Sequence, residues 1–176
     1  VIAELEKAGL EYFNPQKDDW KPEDAETEAV HLASDRILVF AVTGETFGVA
    51  SLAEIGLAAA AVARSNRTLV VYVAPEVVPD EAFLQGLDSG ARVRDSNNAR
   101  KIVLAHLRKM TMTEMGVILV DDLADIAPKA IQAAAMYRQA DSIQAMIRYG
   151  KDGRKPLNYD VLWAVVDSIP EGALHS

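Results

Sequence analysis

The chain has 176 residues, half of them hydrophobic, and carries 26 acidic against 18 basic side chains for a formal charge of -8. That size suits one α/β domain with a sizeable core and an appended helical segment, while the acidity argues against nucleic acid or an anionic membrane as partner, because phosphate binding needs clustered Lys and Arg. No cysteine occurs, which removes disulfides, thiolate metal sites and a cysteine nucleophile and is compatible with a reducing cytoplasm.

No apolar run approaches the roughly 20 residues of a membrane helix, and no signal peptide is apparent, so the chain reads as a soluble, cytoplasmic protein. Residues 1–9 place Val1, Ile2, Leu5 and Ala8 at amphipathic spacing with Gly9 as a stop, which predicts a helix. Residues 10–13 read as a short strand closed by Asn14-Pro15, and residues 16–21 as a polar loop holding Asp18, Asp19 and Trp20. A second helix is predicted over residues 22–34, with Pro22 in its first turn and Glu23, Asp24 and Glu26 at its positive end.

The apolar run Ile37-Leu38-Val39-Phe40-Ala41-Val42 has the composition of a strand buried on both faces. It leads through the polar turn of residues 43–48 into an alanine-rich helix starting near Ser51. A second buried strand is expected at residues 68–73, a short helix at 79–87, and a longer helix at 96–110 in which Ile102, Val103, Leu107 and Met110 share a face. Residues 117–120 form the last predicted strand, followed by a largely helical stretch to residue 149 that Pro128 breaks or starts. A basic loop at 151–156 and an amphipathic helix at 157–169 complete the pattern. Strands alternating with helices imply a parallel, doubly wound sheet.

In such a sheet the loop after a strand lies at the carboxyl edge, where open α/β proteins bind ligands, so Glu54 asks for an explanation. Ser51-Leu52-Ala53-Glu54 has the spacing of a capping box, in which serine and glutamate satisfy the free amides of a helix start. A carboxylate in that position can equally serve as a nucleophile on a sugar carbon.

Three blocks carry a family likeness. They are Tyr12-Phe13-Asn14-Pro15 with Asp18-Asp19-Trp20, then Asp35-Arg36-Ile37-Leu38-Val39-Phe40, then residues 43–48 running into Ser51-Leu52-Ala53-Glu54-Ile55-Gly56. In this order the chain resembles the nucleoside 2-deoxyribosyltransferase family, and more closely its deoxyribosyltransferase-like branch, from residue 1 to about residue 123. The resemblance implies a flavodoxin-like doubly wound sheet for a deoxyribosyltransferase-like α/β domain over residues 1–122; residues 123–176, outside the resemblance, read as a helical C-terminal extension packed on the same domain.

It also implies cleavage of the N-glycosidic bond of a deoxynucleoside through a covalent glutamyl-sugar intermediate, with the sugar passed to another base or to water. Glu54 matches the nucleophile by its A-E-I-G context, and Glu28 falls where the family has an acidic residue near the base; as a plain sequence feature Glu28 is equally a solvated helix carboxylate. The substrate pocket is expected to draw on Asn14, Asp18, Trp20, Thr43, Glu45, Thr46, Gly48 and Ser51, with no cofactor and no metal. The partner implied is a nucleoside or nucleobase, bare rather than phosphorylated because few Lys or Arg lie near the loop, and the expected assembly is a homo-oligomer. A non-catalytic nucleoside-binding or assembly relative is the alternative.

Three departures accompany the likeness. The family begins with a strand and a glycine loop, so native residues are expected before Val1 and the first strand is absent from this sequence. Where some members hold the sugar with an aspartate six residues before the nucleophile, this chain has Gly48, leaving Thr43, Glu45 or Thr46 to serve. The C-terminal third is longer than in a minimal member; Ala133, Ala134, Met136, Ile143, Met146 and Ile147 read as helix faces packed with Trp163 and Val166, with an assembly surface or lid as the other reading. His31, His106 and His175 show no ligand spacing, and Asp121-Asp122 reads as a helix cap.

Overall fold

A computed structural model describes residues 1–17, 19, 21–78, 89–113 and 116–151. The expected features at Asp18, Trp20, residues 79–87, residues 152–169 and His175 lie outside the described residues, as do the side chains of Met146 and Ile147. The chain divides into two compact units, Val1–Ile131 and Gln132–Ser176. The described part of the second unit is helical through residue 151. Within it Met136 is 56% exposed, so that side chain is not part of a packed face.

The first unit runs α1 (Ile2–Lys7), α2 (Asp24–Ser34), β1 (Ile37–Val42), α3 (Val49–Val62), β2 (Thr68–Val73), α4 (Ser89–Thr111), β3 (Val117–Leu119), a 3-10 turn (Leu123–Asp125) and the start of α5 (Ile126–Lys151). The three strands form one sheet in the order β1-β2-β3, and both pairings are parallel. Ile37 sits opposite Thr68, and Leu69 opposite Val117. Helices flank this sheet, as the alternation of elements predicted. Residues 10–13 are not a strand. No partner strand lies beside them among the described residues, and a lone extended segment has no ladder to hold it.

Local chemistry explains the boundaries. Gly9, at φ 66°, ends α1, and the Leu10 amide donates back to the Leu5 carbonyl at 3.1 Å, the left-handed termination expected of a glycine just past a helix. At the end of α2, Arg67 donates from Nε to the Asp35 carbonyl at 2.6 Å and from Nη2 to the Leu32 carbonyl at 2.7 Å, satisfying acceptors that the helix leaves orphaned. Asp122 caps the 3-10 turn by accepting from the Ala124 amide at 2.9 Å, the role read from its sequence position.

Alternation along β2 sends Leu69, Val71 and Val73 to one face, where they meet Leu52, Ile55 and Val62 of α3 and Leu104 and Leu107 of α4. Val70 points the other way, against Leu5, Ala127 and Ala130. Leu69, Val70 and Val71 are wholly buried, so β2 is covered on both faces as predicted. β1 is not: Leu38 and Val42 are buried, whereas Val39 and Ala41 are exposed. Its composition resembles that of β2, but it sits at the edge of the described sheet, where less covers its second face. Among the described residues no helix is long and apolar enough to cross a membrane.

Candidate functional site

The loop of residues 43–48 leaves β1 at the carboxyl edge of the sheet and enters α3. α3 starts at Val49, two residues before the predicted start, and its N-cap is Gly48 at φ 61° and ψ 27° with no side-chain cap bond. A left-handed residue closes the turn here without a hydroxyl. Ser51 therefore lies inside the helix rather than at its cap, and the Ser51/Glu54 capping box does not form. The side chain of Glu54 is left without that structural role.

Glu54 is half-buried. Burial pushes its carboxyl above the ordinary glutamate range, and the nearby charge of Glu28 pushes it further in the same direction. The topology accounts for the meeting. α2 ends at Ser34 and β1 begins at Ile37, so the short connection reverses the chain and brings the start of α2 to the carboxyl edge. Glu28 lies in the first half of α2 and Glu54 in the first half of α3. Among the described residues, neither carboxylate has a hydrogen bond or an ion pair within the protein. A carboxylate held near a like charge without a cation costs stability, and such groups concentrate where a protein needs acid-base or nucleophilic chemistry.

The remaining predicted residues are placed less directly. Asn14 is half-buried and accepts the Gln16 amide at 3.2 Å, a local turn bond. Its segment lies along α2, because Phe13 stacks on His31 with ring centroids 4.0 Å apart and Lys17 pairs with Asp24 at 2.7 Å. His31 also meets Asp35, whose carboxylate is 3.0 Å from its Nδ1. Thr43 and Thr46 meet the interior through their carbonyls, and Glu45 is exposed, with the Thr43 hydroxyl 3.5 Å from its carboxylate. Gly48 has no room for a side chain: a Cβ there would lie 2.6 Å from Val42 Cγ1. Among the described residues, no group of three or more His, Asp or Glu could hold a metal ion.

The residue that sequence reading missed is Arg100. It is completely buried, on the face of α4 that also carries Leu104 and Leu107. Its guanidinium reaches the carbonyls of Val42, Thr43, Thr46 and Ala74. A charged residue in register with apolar ones at i+4 and i+7 was the available signal. The predicted apolar face used Ile102 instead, which is 58% exposed.

Fold and site together define an α/β domain with a parallel sheet and an unpaired carboxylate couple at its carboxyl edge. Comparison with known proteins finds no matching family model, no matching curated protein and no matching solved structure.

Proposed function

We propose that this chain is a nucleoside 2-deoxyribosyltransferase-like enzyme that cleaves the N-glycosidic bond of a deoxynucleoside through a glutamyl-sugar ester. The observation that carries the reading is the half-buried Glu54, unpaired and raised in pKa by burial and by Glu28. A glycosidic transition state resembles an oxocarbenium ion, so a carboxylate on one face stabilises the forming positive charge before it bonds to C1′. Glu54 forms an ester to C1′ as the bond to the base nitrogen breaks and its electron pair leaves with the base. That nitrogen takes a proton from a carboxyl group, the role assigned to Glu28. A second base, or water, then attacks C1′ and gives its proton to the Glu28 carboxylate, which breaks the ester and returns Glu54 as a carboxylate. Neither cofactor nor metal enters these steps.

In this reading the three strands belong to a flavodoxin-like sheet, residues 123–176 are a helical extension, and the protein is a cytoplasmic homo-oligomer acting on a small nucleoside or nucleobase. A second reading has one specific support. With a left-handed Gly48 pressed on Val42, no aspartate fits at the position that holds the sugar in some family members, as expected of a relative that binds a nucleoside or assembles with a partner without turning it over.

Incubating the protein with a panel of 2′-deoxynucleosides and free bases separates the two. Exchanged nucleosides or released bases are expected. An unchanged panel together with measurable nucleoside binding would establish the second reading in place of the first.

A further inference from the structure

Arginine offers five N–H donors, and at Arg100 each has an acceptor. Nε donates to Ser96 Oγ at 3.3 Å, Nη1 to the carbonyls of Val42 at 3.4 Å and Ala74 at 2.9 Å, and Nη2 to those of Thr43 at 2.9 Å and Thr46 at 2.7 Å. Not one of these acceptors is a carboxylate. A buried cation is normally paired with an acid, since desolvating a charge against neutral dipoles alone is costly. Here the charge is spread over backbone oxygens of two strand ends and the loop between β1 and α3.

The same helix completes the attachment. Ser96 Oγ donates to the Phe47 carbonyl at 2.8 Å, and Asn97 Oδ1 accepts the Val77 amide at 2.8 Å. The Gly44 carbonyl accepts the Val78 amide at 2.8 Å. The carbonyls of residues 43, 44, 46 and 47 are thus all bonded to the body of the domain. Because a trans peptide holds each carbonyl opposite the next N–H, this arrangement also sets which way the loop's amides face. Arg100 lies under the N-cap as well: a Cβ on Gly48 would be 3.4 Å from Nη2. The start of α3, and with it the placement of Glu54, is built on this guanidinium.

We propose that Arg100 is a positioning residue: from the interior it holds the β1–α3 loop and the segment after β2 in one fixed arrangement, and so sets where Glu54 stands relative to a ligand at the sheet edge. Its effect on the loop is independent of the function proposed above, whereas its effect on turnover rests on that reading. A lysine cannot replace it, because one ammonium has three donors at a single point and cannot span both strand ends and the loop.

The test uses the full chain with Arg100→Lys and Arg100→Met. Amide hydrogen exchange is followed at Leu52, Val77 and Val78, whose N–H groups bond to Gly48, Asn97 and Gly44, and at Leu69 and Val71 in the core, with urea unfolding alongside. The expected result is that the first set exchanges at least about tenfold faster relative to the core set in both variants. Exchange that rises only in proportion to lost global stability would make Arg100 an ordinary structural residue and overturn the proposal. Should neither variant fold, Ser96→Ala removes one arginine contact and the Phe47 clamp together, and unchanged loop exchange in that protein overturns the proposal equally. If the parent cleaves nucleosides, kcat should fall in Arg100→Lys by more than KM changes, and an equal loss confined to KM would count against positioning. If the parent cleaves none, the glycosidic reading fails while the exchange result still decides the role of Arg100.

Discussion

At the scale of single residues, Glu54 is where structure and chemistry diverge most. It makes no bond that the fold needs, and its environment disfavours its charge. Replacement by glutamine should therefore abolish glycosidic cleavage without loss of the fold. Residual activity within about tenfold of the parent, a barrier change of only about 1.4 kcal/mol, would refute the nucleophile role. The stability effect has a definite sign. A carboxyl whose folded pKa lies above its unfolded one binds its proton more tightly in the folded state, so its contribution declines as pH rises from the unfolded value through the folded one. Glu54→Gln should thus unfold at higher urea than the parent at neutral pH, and this gain should vanish at pH below both values. A variant less stable than the parent at neutral pH would contradict that account.

The companion residue can be tested by titration. Glu28 raises the Glu54 pKa through its charge, so Glu28→Gln should lower it, read directly from the side-chain carboxyl resonance of Glu54. An unmoved resonance would mean that the two carboxylates do not share an environment.

Among the elements, β1 and β2 teach the clearest lesson because their sequences look alike. Both are short apolar runs rich in β-branched residues, and composition alone predicts burial on both faces for each. Position in the sheet separates them: β2 has a strand on either side and helices over both faces, while β1 has a strand on one side among the described residues. Leu69→Ala in β2 should cost about 2 to 5 kcal/mol through the cavity left behind. Val39→Ala in β1 should cost under about 1 kcal/mol. Urea unfolding of both variants would check this, and equal losses would place β1 inside a fully covered sheet. Residues 10–13 show the reverse case, a strand-like composition that forms no strand because a ladder requires a neighbour.

For the whole molecule, the exposed apolar side chains of α2 and α3 bear on its assembly. α3 carries only Ser51 and Glu54 as polar residues between Val49 and Val62, and an all-round apolar helix usually has something packed on each side. Yet Val49 and Leu57 on α3 are 70% and 74% exposed, and Val30 on α2 is 62% exposed. Under the homo-oligomer reading, the parent should sediment as a dimer or larger, and Leu57→Glu should shift it toward monomer with little change in the unfolding of the subunit. A monomeric parent at micromolar concentration would end that reading.

Local order was determined by the sequence itself, because hydrophobic period, glycine and proline act over a few residues. The alternation of strands and helices, the stop at Gly9, the Asp122 cap and the parallel pairing of residues 37–42, 68–73 and 117–119 were all legible in this way. Glu54 and Glu28 could be singled out individually by their family context, but nothing in a linear chain measures the interaction of side chains 26 residues apart. Tertiary structure decided that Glu54 feels the charge of Glu28, that Gly48 rather than Ser51 begins α3, and that Arg100 belongs inside. The physical reason is the same in each case: burial and charge are properties of neighbours, and the neighbours of Arg100 at residues 42, 43, 46 and 74 are assembled only when the sheet and α4 come together.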